Sequence, residues 1–174
     1  MILPILKITG EDSKPLVVLR QTSAEVTDFN DELRRLVASM IETLLATDGF
    51  GLSAPQVGRH LNLFVMRTHA GIMNRNREVR VVINPDTIVE VGEDVSTAEE
   101  KIESCLSIPG VVGRVARWHE VRCVYRDENG RSHNQSLKGM DARIYQHERD
   151  HLVGKLFVDL ANEFYREPEA TSRR

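Results

Sequence analysis

His147, Glu148 and His151 stand in the order His-Glu-x-x-His. On an α-helix, positions i and i+4 share a face, so the two imidazoles can hold one metal ion. Glu148 projects about 100° round the helix from His147. There it can reach a water on that ion without ligating the ion itself. A divalent metal lowers the pKa of such a water and a carboxylate takes its proton, the chemistry of metal-assisted hydrolysis. The pattern still needs a third ligand, a donor for the oxyanion and a groove for a substrate.

Several residues compete for the third ligand. In the register His-Glu-x-x-His-x-x-Gly-x-x-His, Gly154 is present but Phe157 stands where the last histidine belongs, and phenylalanine cannot coordinate a metal. Glu163, twelve residues past His151, would suit a metallopeptidase that takes a glutamate from a later helix; otherwise it is a surface-helix residue. Cys105 would leave one coordination position open for water, as catalytic sites do. Cys123 together with Cys105 would close a Cys₂His₂ structural site, which would have no use for Glu148. Cys123 also alternates with Val121 and Tyr125, the pattern of a buried apolar strand residue. On spacing alone these options stay open. Upstream, Gly49-Phe50-Gly51-Leu52-Ser53-Ala54-Pro55-Gln56 has two glycines that let the backbone approach a partner closely. The glutamine amide that follows can donate to a developing oxyanion.

The elements that must position these groups are legible in outline. Phe29, Leu33, Leu36, Val37, Met40, Ile41, Leu44 and Leu45 keep a 3.6-residue period, predicting a helix from Thr27 to Asp48 with Asp28 as N-cap and Gly49 as the stop. Short strands follow at Leu61–Arg67, Arg80–Asn84, Thr87–Val91, Lys101–Ser107, Val111–Trp118 and Glu120–Arg126. Pro109-Gly110 marks a turn, and Asn129-Gly130 a hairpin into Arg131–Leu137. A second helix starts near Met140 or Asp141, carries the histidines and ends by Gly154. Thr68–Glu78 reads as a solvated loop. The tail 167–174 is too polar to pack and is expected to be mobile. Residues 1–166 are expected to form one domain.

Composition bounds the function. A chain of 174 residues with 41% hydrophobic residues suits a soluble globular domain. A net charge of −3 gives no electrostatic footprint for DNA or an anionic membrane. Two cysteines argue against a disulfide framework and favour a reducing compartment. The apolar start is broken by Pro4 and stopped at Lys7, too short for a signal peptide or a membrane span. The cytoplasm is the expected location.

Taken together, Gly49–Gln56, Glu103-Ser104-Cys105-Leu106-Ser107 and Gln146-His147-Glu148-Arg149-Asp150-His151 resemble the three motifs of the peptide deformylases, GxGxxAxQ, EGCLS and QHExDH. Order and spacing match over roughly Val17 to Leu160, and the continuation Leu152–Phe157 matches as well. Ser104 departs from the family's glycine, Ser53 from its commoner alanine, and the first fifteen residues follow the pattern loosely.

The resemblance implies an α+β fold: short mixed and antiparallel sheets packed around a central helix that carries the histidines, with the long N-terminal helix outside. It implies a metal-dependent hydrolase that removes the N-formyl group from the formyl-methionine of new polypeptides and releases formate. Cys105, His147 and His151 would bind the metal, usually Fe²⁺, with Zn²⁺, Ni²⁺ or Co²⁺ also able to occupy the site. Glu148 would be the base, with Gln56 and the Leu106 N–H holding the oxyanion. Gly51 and Ser104 would pair with the extended peptide, and Phe50, Ile144 and the stem of Arg143 would wall the methionine pocket. Nascent chains, and transiently the ribosome, are the implied partners. The rival readings are the Glu163 metallopeptidase and a weakened or non-catalytic peptide-binding relative. The latter follows if position 104 requires a positive φ that serine resists.

Overall fold

The computed structural model describes residues 1–9, 14–69, 73, 78–90 and 98–166, the side chains of 87–90 apart. The tail 167–174 and most of the expected 68–78 loop lie outside the described residues. Among the described residues, eight strands form two antiparallel sheets. The five-stranded sheet runs in the order β1 (Gly51–Ser53), β2 (Leu63–Arg67), β3 (Val79–Glu90), β6 (Glu120–Arg126), β7 (Ser132–Lys138). The three-stranded sheet runs β4 (Ala98–Cys105), β5 (Ile108–Trp118), β8 (Glu163–Arg166). The α-helices given bounds among the described residues are α1 (Lys14–Leu19), α2 (Asp31–Leu45) and α3 (Gly139–Leu152).

The larger sheet leaves one face of β6 and β7 open but is buried on both faces at β1 and β2, and β2 shows why. Leu63-Phe64-Val65-Met66 is apolar without a break, and all four residues are fully buried. Side chains alternate across a strand. Leu63 and Val65 join Val37, Met40 and Leu44 of α2 in one cluster. Phe64 and Met66 join Ala142, Ile144 and Tyr145 of α3 in another. The helix of the histidines is therefore wedged under the sheet while α2 covers its outer face. Cys123 is fully buried with Val121 and Tyr125 in the α3 cluster. A third cluster, with Leu19, Cys105, Val115, Leu156 and Phe157, packs around the β4–β5 hairpin.

Several boundaries differ from expectation. α2 ends at Leu45 with Ala46 as its C-cap, short of Asp48, so Gly49 is not the stop. α2 starts at Asp31, capped by Asn30, whose Oδ1 accepts the Leu33 N–H at 3.0 Å; Asp28 is not the cap. The preceding chain cannot be helical because Asn84 ties down Val26, accepting its N–H and donating to its carbonyl. Asn84 does this with φ at 50°, the left-handed region that asparagine tolerates best after glycine. The two strands expected around Pro85 are one, β3, with a register shift at that point. The β4–β5 turn falls at Leu106-Ser107, while Pro109-Gly110 lies inside β5, where Gly110 takes φ of +75° and the register slips between Ser104 and Cys105. The short helix α1 carried no periodic signal in the sequence.

Candidate active site

Glycines fix how closely the elements of the site approach. Helix α3 ends at Leu152, and Gly154 then turns away with φ of +72° against the Arg20 backbone. Gly51 on β1 lies directly over Glu148, where an added Cβ would sit 2.6 Å from the glutamate Cδ. An added Cβ on Gly49 would meet the Leu106 side chain at 2.7 Å. The first motif thus lies against both the α3 helix and the β4–β5 turn.

Cys105, His147 and His151 converge, each offering one ligand atom, and these atoms lie within 4.8 Å of one another. Cys105 Sγ is 3.4 Å from His151 Nε2. Tetrahedral sites with thiolate and imidazole bonds of ~2.0–2.3 Å have ligand–ligand edges of roughly 3.3–3.8 Å, and the Cys105–His151 edge falls in that range. His147 pairs through Nδ1 with Glu103 Oε2 at 2.9 Å, which fixes the ring and leaves Nε2 as the atom it can offer to the donor group. Burial pushes the Cys105 thiol up, but the two imidazoles beside it hold it well below its ordinary value, favouring the thiolate that a metal requires.

The carboxylate that orients His147 is itself clamped. Arg117 grips both oxygens of Glu103 at 3.0 Å, and Arg143 adds a contact at 2.7 Å. Arg117 also reaches Asp150, the residue before His151. Glu103, Arg117 and Arg143 are all buried. Burial opposes the charge on Glu103, yet His147 and Arg117 outweigh it and bring its pKa down to about 2.

Glu148 is the counterpoint. It is 3% exposed, and its Oε2 has no hydrogen-bond partner among the described residues. Burial pushes its pKa up to about 7, against the pull of His147 and His151. A carboxylate poised near neutrality is suited to accept and return a proton.

Gln56 is held by its own turn. Its Oε1 accepts from Ser53 N–H at 2.8 Å and from the Ser53 hydroxyl at 3.0 Å. The amide is thereby oriented with Nε2 towards Cys105 Sγ at 3.5 Å and Ser107 Oγ at 3.2 Å. A cavity of about 580 Å³ opens beside these groups. Phe50, Gly51, Ser104, Arg143 and Ile144 line it, as do Gln56, Leu106 and Glu148. His151 lies behind, almost fully buried. A larger open depression near Arg80 and His119 contains none of these groups.

Two expectations are revised by position. Arg143 contributes more than an aliphatic wall, because its guanidinium is bound to Glu103 and to the carbonyls of Val115 and Glu99. Glu163 lies on a strand, not a helix; it is exposed and paired with Arg114, and it is no part of the converging donor group. The sequence reading gave no role to Glu103, Arg117, Ser53 or Ser107. Glu103 had a usable signal, since residues two apart on a strand share a face and Glu103 precedes Cys105 by two.

Ser104 pairs with Val112, and its side chain is exposed between buried Glu103 and buried Cys105. Among the described non-glycine residues only Asn84 has positive φ, so serine is unstrained at position 104.

Residues 3–167 match the family model described as Polypeptide deformylase. A peptide deformylase from a Nostoc species is 43% identical over 144 residues, covering 82% of this chain and 73% of that relative. A peptide deformylase from Chlorobium limicola is 39% identical over 159 residues, 91% of this chain and 80% of that relative. The solved peptide deformylase of Thermotoga maritima superposes with a TM-score of 0.81 at 32% identity, covering 94% of this chain and 99% of that one.

Proposed function

The chain belongs to the polypeptide deformylase family, an enzyme family, and from that premise we propose that it removes the N-formyl group from formyl-methionine at the start of new polypeptides, releasing formate. The observation that carries the reading is Glu148: a buried carboxylate with a free oxygen, beside a Cys-His-His donor set, at the foot of an open cavity.

Cys105 Sγ and the Nε2 atoms of His147 and His151 would hold a divalent metal. When bound, that ion supplies Lewis-acid polarisation and a lowered pKa for water. Glu148 takes the proton of the attacking water as its oxygen adds to the formyl carbon. As the carbon–nitrogen bond breaks, Glu148 returns the proton to the departing amine. Gln56 Nε2 and the Leu106 N–H donate to the oxygen on which charge develops. The peptide lies extended between Gly51 and Ser104, with its methionine side chain between Phe50, Ile144 and the stem of Arg143. Thiolate and imidazole suit several divalent metals. Fe²⁺ is the proposed native ion, with Zn²⁺, Ni²⁺ or Co²⁺ as possible substitutes.

Residues 1–166 act as one catalytic domain in the cytoplasm, meeting nascent chains and, briefly, the ribosome. No described helix is long and apolar enough to cross a membrane. The test is formate release from formyl-Met peptides by protein purified without oxygen, with metal content measured alongside. Release that tracks Fe²⁺ content supports the reading. Metal-loaded protein that releases no formate overturns it.

A further inference from the structure

Lys101 lines the same cavity as Cys105, four residues further out along β4. β4 is an edge of its sheet among the described residues, so its outer backbone groups are free to pair with an added strand. Resting on the deformylase reading, we infer that Lys101 sets a preference for peptides with a carboxylate on the third residue, counting formyl-methionine as the first.

The direction of the peptide follows from the hairpin. The formyl carbon must lie by Cys105 and Glu148. Beyond Cys105 the strand ends in the Leu106-Ser107 turn. The peptide must therefore leave the other way, antiparallel to β4, past Glu103 and then Lys101. Its side chains alternate. The first enters the cavity on the α3 side, where Arg143 and Ile144 lie. The second points away, on the side of exposed Ser104 and Ile102. The third returns to the α3 side about 6.8 Å further along, the same two-residue step that separates Glu103 from Lys101. Glu103 is buried and bound by two arginines, so the first solvent-accessible charge along this face of β4 that a peptide carboxylate can meet is Lys101, held only by a surface pair with Glu99.

The ammonium is available. Lys101 is exposed, and its partner is the half-exposed Glu99, which also meets His119. Such surface pairs hold their charges weakly, so a peptide carboxylate can join or replace Glu99. The other exposed charges of the cavity, Lys7 and Asp48, are opposite in sign and lie towards the far end. Lys7 is fixed there by the bonds of Leu6 to the Gln56 carbonyl and of Ile8 to the Ser107 carbonyl. Asp48 adjoins Gly49, which packs on Leu106.

The test uses C-terminally amidated formyl-Met-Ala-Xaa peptides with Xaa as Asp, Asn or Lys. Asp should exceed its isostere Asn in kcat/KM by about two- to fivefold at low salt, with Lys below both, the range of exposed ion pairs. The preference should shrink at 0.5 M salt. Lys101→Glu should reverse the order, and Lys101→Met should level it. Moving Asp to the second position should bring no gain. Equal rates for Asp and Asn, an order unchanged in Lys101→Glu, or a gain at the second position would overturn the inference while leaving the deformylase reading intact. Failure to cleave any formyl peptide would overturn both.

Discussion

Glu103 and His147 are joined through Nδ1 at 2.9 Å, and the same carboxylate is held by Arg117 and Arg143. One side chain thus fixes the ring of a proposed ligand and pairs with two buried guanidinium groups, one of which Asp150 also holds. Glu103→Gln keeps the shape and removes the charge. Breaking a buried ion pair from one side costs about 3–5 kcal/mol, because the partner charges stay buried. Loss of such an orienting partner lowers metal affinity by about 10–100-fold. Chemical denaturation and metal titration read the two effects separately. A variant with native stability and native metal affinity would show that the arginines and His147 do not depend on Glu103.

The same residue gives the metal-free protein an acid limit. The Glu103 pKa is about 2 in the fold against 4.5 ordinarily. The folded value is the lower one, so the charged form stabilises the fold. That contribution is complete above about pH 4.5 and is lost as pH falls towards 2. A shift of this size corresponds to roughly 3 kcal/mol. The stability gap between the metal-free parent and Glu103→Gln should therefore narrow between pH 4.5 and 2. A gap independent of pH over that window would assign the stabilisation to packing.

Cys105→Ala should lose metal, whereas Cys123→Ala should keep it and lose only about 1–2 kcal/mol of stability, the usual cost of truncating a small buried group. Cys123 is fully buried in the α3 cluster, and its thiol donates to the Gln135 carbonyl. Glu163→Ala should alter neither metal content nor rate, since that carboxylate is exposed and bound to Arg114. Elemental analysis of the three purified variants decides the matter. Equal metal loss in Cys123→Ala would point to a closed structural site, and loss in Glu163→Ala would revive the metallopeptidase reading.

How far the sequence reached follows from the range of each interaction. β6 and the core of β2 were legible because strand alternation and unbroken apolar runs are local. The start of α2 was not, because Asn84 holds Val26 from 58 residues away. The β4–β5 turn was misplaced because Pro109-Gly110 also serves as an irregularity inside a strand, a choice made by pairing rather than by the dipeptide. At the site, Cys105, His147 and His151 are marked by residue type and motif order. Their support is not: Arg117 reaches Glu103 only through the folded hairpin, and Gln56 is aimed by Ser53 through a turn geometry that spacing does not reveal.

Glu148→Gln should retain fold and metal but lose most formate release, because an amide cannot accept the water's proton. The loss should reach at least the ~10²–10⁴-fold typical of removing a general base. Gly51→Ala tests the same group from outside, since its added Cβ would collide with the glutamate and must displace it. Both variants should bind metal while turning over slowly. Activity of Glu148→Gln within tenfold of the parent would remove Glu148 from the mechanism.

Ser104 is the departure within the three family motifs that lines the cavity. Its backbone is not in the left-handed region, and its side chain is exposed, turned from the face on which Cys105 and Glu103 are buried. The hydroxyl is therefore directed away from the proposed metal ligands, while the backbone N–H and C=O remain as glycine would supply them. Ser104→Gly should leave kcat/KM within about threefold of the parent. It should cost up to about 1 kcal/mol of stability through the added freedom of the unfolded chain. Steady-state kinetics on formyl-Met peptides and a denaturation curve read both. A tenfold rise in kcat/KM would show that serine obstructs the groove, and the protein would then be better described as a weakened deformylase.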